Sequence, residues 1–217
     1  MNFIRIALLT SLLAFSFEGF AARNMADAGM SKSTKGLKKL IRKGVDVNFQ
    51  DEDGISALMN ATYYSYTDSV KLLLDAGANV SLRDNEGATA LNLIAYRDKA
   101  TDGEILDLLI AKGADVNSKD NDGDTALQYA VAYGYTNLVK ALLTRDARVD
   151  IKNNDGETPI WEVCSANKNN IEMLDILLSS GADINSRDND GDTILALTRC
   201  EENLELLNYM ESKGLEA

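Results

Sequence analysis

The sequence predicts an all-α protein, a solenoid of helix-turn-helix units joined by β-hairpin-like turns and preceded by a signal peptide. The first observation behind this prediction is a period. A glycine follows a short acidic segment five times, with gaps of 33, 36, 33 and 35 residues, at Gly54, Gly87, Gly123, Gly156 and Gly191. The second is a leucine-rich segment with helical spacing that recurs after these glycines. A period of about 33 residues is typical of units that bury their apolar faces only by stacking.

The N-terminus has the layout of a secretory signal peptide over residues 1–21. One basic residue, Arg5, precedes an apolar stretch at 6–17, and small residues follow it. The alternatives are a membrane anchor or a first helix of the fold, but a membrane span needs about 20 apolar residues and this stretch is shorter. We therefore expect cleavage after Ala21 or Ala22, with the protein located in the periplasm or secreted.

Each repeated glycine lies in a segment such as Asp84-Asn85-Glu86-Gly87-Ala88-Thr89-Ala90-Leu91. Asn or Asp near Gly supplies the positive φ of a tight hairpin turn, and Ser or Thr then caps the first helix of the unit. The capping residues so predicted are Ser56, Thr89, Thr125, Thr158 and Thr193. Pro159 follows its cap at a position where a missing amide hydrogen costs nothing. Every unit thus begins with a turn and enters a helix.

The second helix of each unit is predicted from a recurring leucine pattern. Residues 70–80 recur as 106–116, 139–149 and 174–184. The leucines are expected to form the core, and a glycine is expected to end the helix in the left-handed region. These glycines are Gly77, Gly113 and Gly181, and Asp146 replaces the glycine in the third complete unit. We expect that replacement to cost about 1 kcal/mol without changing the fold.

These motifs resemble the ankyrin repeat family over nearly all of residues 24–217. One domain is expected at 22–217, with units at about 22–50 (an N-terminal cap), 51–83, 84–119, 120–152, 153–187 and 188–217 (a C-terminal cap). The family motif has a histidine that helps to tie one hairpin to the next. That position holds Met59, Asn92, Gln128, Trp161 and Ala196 here. We therefore expect weaker hydrogen bonding between units.

The resemblance also implies a binding face, because ankyrin proteins usually bind partners on the concave side formed by the hairpin tips and the exposed end of the first helix. The positions so selected are Glu52, Asp53, Tyr63, Tyr64, Glu86, Tyr96, Arg97, Asp122, Asp124, Tyr133, Asp155, Glu157, Asp190 and Asp192. Tyrosine is enriched in binding hot spots, although these rings could instead pack helix against helix. Tyr129 is expected in the core. The acidic tips would steer a basic partner to this side.

Charge and composition exclude several functions. Histidine is absent, which removes the commonest general base and metal ligand. Residues 49–217 carry 14 basic and 31 acidic residues, net −17, whereas residues 22–48 are net +5. An acidic body repels nucleic acid and anionic lipid. Segment 188–192 resembles part of a calcium loop but lacks the first and last ligands. We expect no cofactor, no metal, no nucleic acid and no membrane insertion after signal cleavage.

The two cysteines, Cys164 and Cys200, are compatible with an oxidising compartment. Both fall near the end of the first helix, in adjacent units. Equivalent points of stacked helices lie about 8–10 Å apart, which exceeds the usual Cα separation in a disulfide, although a one-residue offset narrows the gap. A disulfide and a pair of small buried thiols therefore both remain open.

The sequence predicts a monomeric protein-binding module rather than an enzyme. Its expected partner is a basic protein of the cell envelope, because enzymes that act on the anionic cell wall often need positive surfaces. Binding would inhibit or shelter that enzyme, in the manner of an immunity or self-protection protein. The alternatives are a secreted effector that binds a host protein and a general periplasmic scaffold or stress-related binder. An enzyme with an unrecognised site is disfavoured, because carboxylates open to water keep ordinary pKa values.

Overall fold

The protein is a stack of helical pairs. A computed structural model describes residues 25–96, 103–164, 170–194 and 204–214, so the predicted signal peptide, Arg97 and Cys200 lie outside the described residues. The first helices of the units are α1 (25–29), α3 (Ala57–Tyr63), α5 (Ala90–Ile94) and α7 (Ala126–Ala132), followed by a 3-10 helix at Pro159–Cys164. The second helices are α2 (Lys35–Arg42), α4 (Thr67–Asp75), α6 (Gly103–Ala111), α8 (Thr136–Leu143), α9 (Asn170–Ser179) and α10 (Leu204–Ser212).

The predicted all-α solenoid is confirmed. The described residues contain no strand, and only two isolated bridges, Gln50 to Ser56 and Arg187 to Thr193, occur among them. First helices pack on first helices from α3 through α5 and α7 to the 3-10 helix. Second helices pack on one another from α2 through α4 to α6, and from α8 through α9 to α10. The leucines between the two rows are buried, at positions Leu58, Leu73, Leu91, Leu106, Leu127, Leu142, Leu174, Leu177 and Leu206. Each such side chain contributes about 1.5–3 kcal/mol of hydrophobic stabilisation.

The predicted caps are confirmed at three of the five positions, and the predicted helix ends are confirmed at all four. The side-chain oxygens of Ser56, Thr89 and Thr125 accept hydrogen bonds from the amide three residues later. The residue that ends each second helix has positive φ, namely Gly77 (88°), Gly113 (90°), Asp146 (65°) and Gly181 (90°).

The fourth complete unit differs from the expectation of a first α-helix. Residues Pro159–Cys164 form a 3-10 helix, in which the Trp161 amide donates to the Thr158 carbonyl at 3.0 Å. The Thr158 hydroxyl hydrogen-bonds instead to the Ser186 hydroxyl at 3.0 Å. The turn is therefore wound more tightly than an α-helix.

Three residues at the position of the family histidine donate side-chain hydrogen bonds, and one of these bonds, from Gln128, crosses to the next unit, against the expectation. Asn92 Nδ2 donates to the Ser118 carbonyl at 2.9 Å, and Gln128 Nε2 donates to the Glu157 carbonyl at 3.2 Å. The indole Nε1 of Trp161 donates to Ser186 Oγ at 3.0 Å. The Gln128 amide thus donates to the next unit, whereas Asn92 and Trp161 join the first helix of a unit to the end of that same unit. Ala196 lies outside the described residues.

Neighbouring hairpins are joined by one asparagine in each unit. The Asn121 amide donates to the Glu86 carbonyl at 2.9 Å, and Asn121 Nδ2 donates to the Asn85 carbonyl at 3.0 Å. The same pair of bonds recurs along the stack at Asn85, Asn121, Asn154 and Asn189. We call these four residues the asparagine ladder. It sets the spacing of the hairpin tips.

The glycines of the hairpins allow the ladder to approach. A Cβ atom on Gly123 would lie 2.7 Å from the amide nitrogen of Asn154, and Gly123 has φ 82°. The hairpin glycine therefore meets two demands, the left-handed backbone and the close contact.

Comparing Gly123→Ala with Gly113→Ala separates these two demands. Both glycines have positive φ, but a Cβ on Gly113 would meet nothing within 4 Å. We expect each variant to lose about 1–2 kcal/mol from backbone strain, and Gly123→Ala to lose at least about 1 kcal/mol more from the displaced hairpin. Urea unfolding measures both losses. Equal losses would contradict the role of the close contact.

Cys164 lies at the end of the 3-10 helix, is 8% exposed, and is disulfide-bonded. The chain has only one other cysteine, Cys200, which lies outside the described residues. Only the Cys164 side of the bond falls within the described residues, so its pairing with Cys200 stays a prediction.

If Cys164 and Cys200 are paired, the oxidised protein has an intact mass two hydrogens below that of the reduced protein. Because the bond closes a long loop, reduction is expected to lower the free energy of unfolding by about 3 kcal/mol. The double variant Cys164→Ser with Cys200→Ser should not respond to reductant. Two thiols that react with a labelling reagent in the unfolded, unreduced protein would exclude the pairing.

Candidate functional site

The hairpins direct some carboxylates inward and others outward. In the hairpin at 119–125, Asp120 Oδ1 accepts the amides of Asp122 and Asp124 at 3.0 and 2.9 Å. The equivalent side chains at Asp51, Asp84, Asn153 and Asp188 accept the same two amides. The first residue of each hairpin is therefore structural, whereas most of the acids that follow it are exposed to solvent.

The predicted acidic positions fall into two groups. The exposed ones are Glu52, Asp53, Glu86, Asp122, Asp155, Asp190 and Asp192, whereas Asp124 and Glu157 are half-buried. Asp190 and Asp192 lie in the last of the five hairpins, at the C-terminal end of the stack.

A row of basic side chains runs beside the acidic tips and was missed in the sequence. Each of Arg83, Lys119 and Lys152 donates to the backbone carbonyl of its counterpart in the next unit, at 2.5–2.7 Å. Gln50 makes the same contact at the start of the row, to Arg83. The sequence pattern that could have predicted this row is the basic residue that precedes the first Asp or Asn of the hairpin in four units. Thirteen carboxylates and four cations in the five hairpin segments leave a net charge of −9 there.

Seven tyrosines form two ring clusters at the ends of the first helices. Tyr64 packs edge-on against Tyr63 at 5.1 Å between ring centroids and stacks on Tyr66 at 5.7 Å. The larger cluster contains Tyr96, Tyr129, Tyr133 and Tyr135, with neighbouring centroids 4.7–6.5 Å apart. Tyr133 is 50% exposed, one of two large apolar side chains so exposed among the described residues.

One hydrogen bond joins the larger tyrosine cluster to the acidic hairpins. The Tyr129 hydroxyl donates to Asp120 Oδ2 at 2.6 Å, on the carboxylate whose other oxygen holds the turn. Burial raises the pKa of Tyr96, and the negative charges of Asp120 and Glu86 raise it further. The Tyr129 pKa is raised by burial and by its bond to Asp120. These hydroxyls therefore stay protonated and remain hydrogen-bond donors.

Tyr129 packs against the core, as expected, and also contributes its ring to the surface cluster. Its ring is half-buried, because its hydroxyl reaches the hairpin while its face contacts Tyr96 and Tyr133. Tyr63, Tyr64 and Tyr96 are also half-buried. We define the hairpin–tyrosine face as the exposed hairpin acids together with the four rings of the larger cluster.

Asp124 lies where several carboxylates converge. Burial is the main cause that raises its pKa to about 6, and the charges of Asp120, Asp122 and Glu157 add to the effect. Asn153 Nδ2 donates to Asp124 Oδ1 at 3.0 Å and opposes the shift. The face therefore gains negative charge as the pH rises through about 6.

Within the described residues, no group of three or more Cys, Asp or Glu side chains is placed to hold a metal ion. In the same part of the chain, no helix combines the length and apolar character that a bilayer span requires. The face offers solvated carboxylates and phenol groups, which suit the binding of cationic and aromatic groups.

Replacing Asp124 by Asn tests whether burial and the repulsion of neighbouring carboxylates destabilise the charged form of Asp124. The folded pKa of about 6 exceeds the ordinary value of 3.8, so the folded protein binds more protons and wild-type stability falls as the pH rises between these values. Asp124→Asn removes this loss and should be more stable than wild type by about 1 kcal/mol near pH 7.5, with a smaller gain near pH 5. Urea midpoints at both pH values measure the gain. Exposed Asp122→Asn is the control, and an equal gain there would contradict the assignment to Asp124.

A family model and a solved structure show what this chain is similar to. The family model described as ankyrin repeats (3 copies) matches residues 25–120 and 93–188. Among solved structures, the neighbour is the immunity protein in "Bd0816 Predatory Endopeptidase from Bdellovibrio bacteriovorus in complex with immunity protein Bd3460". The TM-score is 0.74 at 26% sequence identity, covering 88% of this chain and 98% of that chain.

No curated protein matches the chain. In contrast, 586 chains of solved structures match it, so the fold by itself does not single out a partner. Because the family model matches most of the sequence, the chain belongs to the ankyrin repeat family.

Proposed function

We propose that this protein is a periplasmic binding module that inhibits or shelters a basic cell-envelope endopeptidase through its hairpin–tyrosine face. The observation that carries the proposal is the structural neighbour, an immunity protein in complex with a predatory endopeptidase. The structural similarity covers 98% of the immunity protein's chain and 88% of this chain, so both proteins present a stack of similar length. The repeats support binding to a protein, and the neighbour supports a peptidase as the class of partner.

The chemistry of the face fits a cationic partner. Its hairpins carry a net charge of −9, which attracts a basic surface over a distance and speeds encounter. The tyrosine cluster supplies stiff, amphipathic rings that lose little conformational entropy on binding. Tyr133 is the most exposed ring, and its neighbours Tyr129 and Tyr135 hold it at 6.5 and 5.6 Å. This pre-organised centre with an acidic surround matches the usual layout of a binding hot spot.

Inhibition needs no catalysis from this chain. Covering a peptidase cleft excludes its substrate, and the acidic residues would complement the positive groups that hold an anionic cell-wall polymer. Self-protection follows, because a cell that makes such a peptidase needs it blocked in its own envelope.

Affinity capture tests the proposal. The protein is immobilised, an envelope extract of the producing cells is passed over it, and retained proteins are identified by mass. We expect a basic endopeptidase that is released by high salt and whose activity falls to zero at one equivalent of this protein. Capture of a peptidase that keeps full activity in the complex, or of no envelope enzyme, would contradict the proposed function.

Tyr133→Ala tests the face itself. Loss of a central aromatic anchor is expected to weaken binding to the captured peptidase by at least about tenfold. Tyr209→Ala is the matched control, because Tyr209 lies on α10 and donates to Asp175 rather than joining the face. Affinity is measured by calorimetry after urea unfolding has shown both variants to be folded. Equal affinities for the two variants would exclude this cluster as the contact.

A further inference from the structure

One end of the solenoid carries a charge of the opposite sign to the rest. Helix α2 (Lys35–Arg42) buries Leu37, and Leu40 and Ile41 pack partly against the core. Successive residues of a helix are turned by about 100° about its axis. The basic side chains of α2 and of Lys43, which follows it, therefore span an arc of about 140° on the side of the helix opposite Leu37. These residues, which we call the basic face, are Lys35, Lys38, Lys39, Arg42 and Lys43, and all are exposed.

The basic face has no counter-charge of its own. None of its side chains takes part in an ion pair with a described residue, whereas other second helices are paired between units. Lys71 on α4, for example, bonds Glu104 at 2.5 Å, and Lys140 on α8 bonds Glu172 at 2.9 Å. Like charges three and four residues apart repel one another along a helix. The repulsion on α2 is therefore left uncompensated within the described part of the protein.

We propose that the basic face binds the surface of an anionic lipid bilayer. Clusters of four to eight Lys and Arg on an amphipathic helix are the usual signature of attraction to anionic headgroups. Met30 supports the assignment, because this apolar side chain is 39% exposed and lies five residues before Lys35. An exposed thioether close in sequence to these cations can enter the headgroup region while the lysines meet phosphates.

The composition favours lipid over other anions. Four of the five cations are lysines, which act as point charges, whereas specific phosphate or carboxylate sites favour the planar fork of Arg. Residues 25–48 contain no aromatic side chain, so nothing there could stack on nucleic-acid bases. A basic peptidase would be repelled by this face, so its occupant differs from the partner of the hairpin–tyrosine face.

The charge asymmetry orients the protein on the surface. At physiological salt, charges are screened beyond about 8 Å, and stacked helices lie about 8–10 Å apart. Only the first units therefore feel the bilayer strongly. The hairpins further along are repelled or screened, so the solenoid stands on its N-terminal end and leaves the hairpin–tyrosine face open.

Vesicle sedimentation with the full chain tests the proposal. The triple variant Lys35→Gln, Lys38→Gln, Lys39→Gln is compared with Lys71→Gln, Lys112→Gln, Lys140→Gln, which removes the same charge from exposed positions elsewhere. Vesicles contain either phosphatidylcholine alone or phosphatidylcholine with phosphatidylglycerol. We expect binding only to the anionic vesicles, reversal by high salt, and a loss of at least about tenfold in partitioning for the first triple variant alone.

Three results would overturn the proposal. Equal partitioning of the two triple variants would remove the basic face as the contact. Equal binding to neutral and anionic vesicles would assign the interaction to apolar insertion, as by the N-terminal stretch. Absence of vesicle binding, with charge-dependent binding of the wild type to single-stranded DNA, would assign the face to nucleic acid. None of these outcomes bears on the peptidase, so the two proposals fail separately.

Discussion

The contact between a hairpin glycine and the asparagine of the next hairpin is the constraint on which the rest of this structure depends. Only a residue without Cβ fits there, because the asparagine amide approaches to within 3 Å of where a Cβ atom would stand. The backbone and side chain of that asparagine then donate to two carbonyls of the preceding unit. Each unit is thereby set at a fixed distance from the last, which is what a stack whose units contact mainly their neighbours requires.

The binding face follows from this constraint. Since the ladder and the first residue of each hairpin satisfy the backbone, most of the acids that follow can face solvent. The basic row beside them donates to carbonyls along the stack, so the surface is a mixed pattern of charge with an acidic excess. Asp120 belongs to both systems, because one oxygen holds its turn and the other accepts from Tyr129. The tyrosine cluster is thus fixed to the hairpins rather than merely near them.

Much of the fold could be predicted from the sequence, because turns, caps and helix ends are local. Thr89 and Gly113 have the conformations that their residue types favour. Contacts between units are harder to predict from the sequence, since they depend on which groups meet across an interface. The loss of the family histidine indicated weak coupling, yet Gln128 donates across the same gap. Tyr129 packs against the core as expected, but its bond to Asp120 could not be predicted, because only the folded turn brings that carboxylate near.

Hydrogen exchange on the complex with the captured peptidase would test the central claim, that the hairpin–tyrosine face is where this protein binds its partner. The account predicts slower exchange at the hairpins and at the ends of α5 and α7, with the second helices α4, α6 and α8 unchanged. Protection confined to the second helices, with the hairpins exchanging as in the free protein, would contradict it.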